Sequence, residues 1–270
     1  MTTLSLRETA DAAGLAAFLT RQLRWDKAAV VRLRASGDGV LAAFTRPARF
    51  EVLAVRPSRL AEPADLDATV SVGQLLDGID EAGAGLSVPP PVTGPPWAGV
   101  LPPRGAWRRV SDPALGEVRG AAAGVVAEFR SRSEAMPTAH RTRSSLDALA
   151  EEIWGRVLPG TALPLRAVHA AHALGFLHDV KAPEASAAAP APAPAPTAAG
   201  GGPAAEAGVR ATPTAPVTDV ADVADVTAGS VAVLSAGGWL RLRTAHGSIA
   251  VRTGSGPGLS LTPVLPVGPA

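Results

Sequence analysis

Cysteine and tyrosine are both absent from the chain. No disulfide scaffold, thiolate metal site or cysteine nucleophile is therefore available. Lysine is nearly absent as well: 23 of the 25 basic residues are Arg. Neither sign of charge is in excess, with 25 basic against 24 acidic residues, so no strong global field draws the chain to nucleic acid or to a membrane. No stretch approaches 18 consecutive apolar residues, which leaves nothing to span a bilayer. Met1 to Arg7 lack a basic segment followed by an apolar run. No secretory signal is expected there, and the expected location is cytoplasmic.

Alanine is what the chain has in abundance. The 56 Ala, 28 Gly and 26 Pro make 110 of the 270 residues. The larger apolar residues come to about a quarter, enough for one core of modest size. Ala, Gly, Pro and Arg are all encoded by GC-rich codons. A GC-rich bacterial genome thus accounts for the arginine excess before any oxyanion ligand is invoked.

The hydrophobic periodicity predicts a helix over 5–23, with Leu15, Phe18, Leu19 and Leu23 on one face and Ser5 and Glu8 spaced as a capping box. Period two follows. Strands are expected over 28–35, 40–45, 49–56 and 68–71, with a turn at Ser36-Gly37-Asp38-Gly39 and a break at Pro47. A short helix capped by Ser71 and Gln74 is expected to end at Ile79. Three helices are expected over 113–134, 144–158 and 164–178, the second capped by Ser144 and Asp147. The third is apolar nearly all round, as a buried helix is.

The expected fold class is α+β: an N-terminal helix, an antiparallel meander of three to four strands, then a three-helix segment, all within a main domain of residues 1–180. An Ala/Pro/Gly-rich linker over 181–228 reads as disordered. Three short strands follow within 229–264. So short a β-meander cannot bury enough surface to fold alone without disulfides or metal. It must dock, on the main domain, on a second copy or on a partner.

Motifs with chemistry are few. No Gly-x-Ser-x-Gly elbow, phosphate-loop Gly-Lys-Ser/Thr or glycine loop between strand and helix is present. His169 and His172 lie on neighbouring faces of one helix and His178 on the opposite side, with no carboxylate between them. Two histidines without a third ligand make a poor metal site, so no metal and no cofactor is expected. The proline-rich segment 83–107 carries Trp97 and Trp107. It reads either as a recognition surface or as a strap whose tryptophans plug the domain's own core.

The candidate interaction surface is therefore Trp97, Arg104, Trp107, Arg108, Arg109 and Trp239, and the candidate anion contacts are Arg32, Arg34, Arg141 and Arg143. The expected function is a non-catalytic protein-interaction or regulatory module with a protein partner, self-association through the C-terminal β-unit being one form of it. The alternatives are an enzyme with a polar site assembled around His169 and His172, and a weak nucleic-acid binder. Against the last, no aromatics interleave with the strand arginines.

Overall fold

The structure is a computed structural model that describes residues 2–178 and 230–253. The expected linker over 181–228 lies outside the described residues, as does 254–264 of the expected C-terminal unit. The fold is mixed α+β. In chain order the elements are β1 (Thr2–Ser5), α1 (Thr9–Trp25), β2 (Val30–Ser36), β3 (Val40–Thr45), β4 (Leu53–Arg59), β5 (Asp65–Ser71), α2 (Val72–Asp77), β6 (Ile79–Asp80) and β7 (Gly85–Val88). They continue with β8 (Arg108–Ser111), α3 (Leu115–Ala135), α4 (Arg143–Gly155), α5 (Leu165–Ala173), β9 (Ala232–Ala236), β10 (Trp239–Thr244) and β11 (Gly247–Arg252).

Two sheets form, both antiparallel. A small one runs β1-β7-β6, and an eight-stranded one runs β5-β2-β3-β4-β11-β10-β9-β8. The C-terminal unit does not sit on the main sheet; it continues it. Its joint is a register of three residue pairs, Ser248 with Val55, Ile249 with Ala54 and Ala250 with Leu53.

Period-two alternation decides what each face of the large sheet meets. Val31, Leu33, Leu41, Ala43, Ala54, Val233, Leu240, Leu242, Ile249 and Val251 point to one side. There they pack with Leu15, Phe18 and Leu19 of α1, Val118, Ala122 and Val125 of α3, Ile153 of α4 and Val168 of α5. Phe18 stacks on Phe176 beneath this layer, with ring centroids 5.7 Å apart. The main core is thus shared by both ends of the chain.

The opposite face carries two smaller apolar patches. One holds Leu53, Trp107, Ala232, Leu234, Ala236, Trp239 and Ala250, the other Ala42, Phe44 and Val55. Trp97 and Leu101 of the proline-rich segment pack against both. The segment is therefore a strap laid across the seam between β4 and β11.

Local signals differ from the expectation in a few places. Ser5 pairs with Gly85 in β1, so it is not available to cap α1, and Glu8 stands at that cap without a side-chain bond. Thr142 caps α4 instead of Ser144, its Oγ1 accepting from the Ser145 N–H at 3.2 Å. The strand expected over 49–56 is β4, which begins at Leu53 and runs past Pro57 to Arg59. Pro57 lies beyond the three residues that pair with β11, where no donor to that strand is needed.

Candidate functional site

The strap is held at both ends of its course. The Val92 N–H donates to the Thr69 carbonyl of β5 at 2.8 Å. Arg32 of β2 donates through Nη1 to the Ala98 carbonyl and grips Asp67 with Nε and Nη2, each at 2.8 Å from a carboxylate oxygen. Arg34 reaches the same carboxylate at 3.6 Å. Trp107 is buried, and its indole N–H donates to the Pro103 carbonyl at 3.1 Å.

Two arginines of the C-terminal unit stack on this aromatic layer. The Arg241 guanidinium lies 5.5 Å from the Trp107 ring centroid and donates through Nε to Ser248 Oγ at 2.8 Å. Arg252 lies 5.1 Å over the Trp239 ring. A cation over an indole face is attracted by the ring quadrupole, more strongly where water is excluded, as it is at buried Arg241.

The structure brings most of the sequence-derived interaction residues together. Trp107 and Trp239 share one buried patch and Trp97 packs beside it. Arg104, Arg108 and Arg109 are exposed around them, and Arg109 pairs with Asp112. The register gathers the rest at one end of the sheet. Arg108 pairs with Ser235, Arg252 with Trp239, and Pro103 lies 3.8 Å from where a side chain on Gly237 would begin. Arg104 and Arg252 thus flank the turn between β9 and β10 on the aromatic face, whereas Arg108, paired with Ser235, projects from the other face of the sheet edge, and among the described residues none of the three has an ion pair.

The sequence-derived anion contacts are otherwise occupied. Arg32 and Arg34 converge on Asp67 as described. Arg141 donates to the carbonyls of Glu134 and Met136 at the end of α3, at 2.8 and 3.1 Å. Arg143 faces Asp147 at 3.7 Å on the exposed side of α4. Sequence reasoning missed Arg241 and Arg252. Their alternation with Trp239 along adjacent strands was the available signal, since period two places Trp239 and Arg241 on one face.

His169 sits in an aromatic box. Its ring stacks on Trp154 at 5.1 Å and meets Phe50 edge-on at 5.2 Å, and Phe50 in turn touches Trp25 at 5.3 Å. Burial, with help from the neighbouring His172 charge, lowers its pKa to about 4. Among the described residues no carboxylate or hydroxyl hydrogen-bonds to it, and no group of His, Asp and Glu has the makings of a metal site.

This box makes stability depend on pH. Between the ordinary histidine value of 6.5 and about 4, the unfolded chain binds a proton at His169 that the folded chain refuses. Stability therefore falls as pH falls through that window. Linkage sets a ceiling of about 3 kcal/mol, roughly halved by partial solvent exposure. His169→Phe is expected to flatten the urea midpoint between pH 7 and pH 4.5, leaving a residual slope from His246, which burial also lowers. Equal pH slopes for the two proteins would remove His169 from the account.

No helix among the described residues is long and apolar enough to cross a membrane. No curated protein and no solved structure matches the chain. Residues 1–99 match the family described as Domain of unknown function (DUF8010). The boundary between this stretch and the next falls inside the strap, so β2–β5 come from one side and β8–β11 from the other. The match over residues 102–256 takes in more than half of the chain, which therefore belongs to the family described as Domain of unknown function (DUF8185).

Proposed function

We propose that the chain is a non-catalytic protein-interaction module of the bacterial cytoplasm, and that its partner presents an acidic segment. The observation that supports this reading is the exposed arginine pair, Arg104 and Arg252, that flanks the turn between β9 and β10 beside the tryptophans. Arg104 and Arg252 are exposed and without ion pairs among the described residues, beside a packed layer of Trp97, Trp107 and Trp239, and Arg108 is exposed on the adjoining edge strand. Aromatic and arginine side chains are the residue types that anchor interfaces, and a cationic rim selects and steers an acidic partner.

The strap adds a second argument. It holds the layer in place without a partner present, so binding costs little ordering. The composition that points to a GC-rich bacterial genome explains how many arginines there are, not why Arg104 and Arg252 stand exposed beside the tryptophans without ion pairs among the described residues.

The test is a pull-down from bacterial lysate with the full chain and with a triple variant, Arg104→Glu, Arg108→Glu and Arg252→Glu. All three residues are exposed, so the variant is expected to fold, which circular dichroism checks. A protein retained by the wild type and weakened on the order of tenfold or more in the variant supports the reading. Equal retention by both, or none by either, overturns it. Retention that disappears on nuclease treatment transfers the surface to a nucleic acid.

A further inference from the structure

A second cationic cluster lies on the helix side of the sheet, where α1, β4, the turn between β10 and β11 and the end of α5 meet. Arg56 of β4 is directed into it and donates through Nη1 to the His246 carbonyl at 2.8 Å. Its guanidinium meets α1 through Nη2 at Gly14, where a Cβ would stand 2.0 Å from that atom. Arg21, two turns further along α1, is seated in the same manner on Gly175, where a Cβ would stand 2.9 Å from Cζ. Two glycines thus make room for two guanidinium groups in one neighbourhood.

The nearby Asp11 carboxylate offsets part of the Arg56 charge without pairing with it. Neither Arg21 nor Arg56 has an ion pair among the described residues. Arg56 Nε and His246 Nε2 are buried without a hydrogen-bond partner. Burial lowers the Arg56 pKa; the nearby Asp11 opposes this and the Arg21 charge adds to it. Asp11 faces Arg56, but its Oδ1 accepts from the Arg59 N–H at 3.4 Å, and Glu81 lines the same pocket as Arg21. A buried guanidinium facing a second cation is costly, and it persists where something returns the energy. Buried donors left unpaired in a folded protein call for an explanation of the same kind.

We infer that Arg21 and Arg56, backed by His246, form a binding site for a small oxyanion, a phosphate group or a carboxylate. Planar guanidinium forks match the paired oxygens of both groups. The site joins parts of the chain far apart in sequence. Arg21 and Arg56 come from the first hundred residues, and His246 lies in the turn that opens β11. A bound oxyanion would fasten the C-terminal unit to α1, so occupancy strengthens the joint between β4 and β11.

The test uses the full chain and inorganic phosphate. Thermal unfolding is followed at pH 7 in phosphate and in chloride of matched ionic strength, with phosphate binding measured by calorimetry. Phosphate is expected to raise the midpoint above the chloride value in proportion to the logarithm of its concentration. Arg21→Gln is expected to weaken binding at least fivefold, and Arg21→Lys to restore part of it. Malonate as effective as phosphate also supports the site and assigns carboxylate as the bound group. If Arg21→Gln does not fold, His246→Gln takes its place, with the same loss expected. No rise above chloride, or an undiminished response in the variants, overturns the inference.

Discussion

A chain ended at residue 181 is expected to lose its cooperative fold, not to yield a stable main domain. The missing segment buries Val231, Val233, Leu234, Trp239, Leu240, Leu242, Ile249 and Val251. At about 1.5–3 kcal/mol for each side chain, those eight contribute roughly 12–24 kcal/mol before ordering entropy is subtracted, a sum on the scale of the roughly 5–15 kcal/mol by which a whole domain is stable. The loss is also topological. Without β11, strand β4 becomes an edge that presents Leu53 and Val55 to water, an invitation to aggregate. Size-exclusion chromatography and thermal circular dichroism check this. The expected result is an aggregated or broadly melting product, with cooperative melting restored when a fragment from residue 229 to the end is supplied in trans. A soluble monomer melting within a few degrees of the full chain would show that the joint is dispensable.

That outcome bears on how domains are drawn in this chain. The composition of 181–228 invites a boundary on each side of it. Burial places the unit of stability elsewhere, because one apolar layer is built from both sides of that segment. Family matching cuts the chain a third way, within the strap. Arg32, Trp97 and Leu101 tie the strap across the sheet at that cut, so neither half closes its own core.

Much of the secondary structure was legible because it is local. The strand over 40–45 announces itself as a short apolar run and the hairpin of the C-terminal unit by its alternation, each beside glycines at positive φ, Gly37, Gly39, Gly237 and Gly238. The helices show the 3.6-residue stripe. What escaped was non-local. Strand β1 exists because Thr2 finds Val88, and no pattern in four residues foretells a partner that distant. Strand β8 is nearly all exposed and so has no alternation to read. The site was legible in its aromatic half, since tryptophans in a proline-rich stretch must be buried or bind something. Its charged half was not. Arg32 and Arg34 look free on a strand until Asp67 of β5 falls opposite them, and Arg21 and Arg56 meet only once β4 packs on α1.

Gly247 is where the joint is least tolerant, and Gly247→Ala is expected to cost about 2–4 kcal/mol. Its φ of +151° is one an L side chain rarely adopts. A Cβ there would stand 2.7 Å from the Val55 carbonyl oxygen and 2.8 Å from Phe176 Cζ. The first obstacle is backbone in the strand that β11 must pair with. The second is a ring held by its stack on Phe18. Neither yields by rotating a flexible side chain. Gly238 supplies the control. Its φ of +77° is also positive, but a Cβ would meet nothing within 4 Å. Gly238→Ala is therefore expected to cost only the left-handed penalty, about 1–2 kcal/mol. Urea unfolding of the two variants separates steric obstruction from backbone preference. Hydrogen exchange then locates the damage, with faster exchange expected across β9, β10 and β11 in Gly247→Ala. If the two variants prove equally stable, the close approach of β11 to β4 and Phe176 is not what holds the C-terminal unit in place.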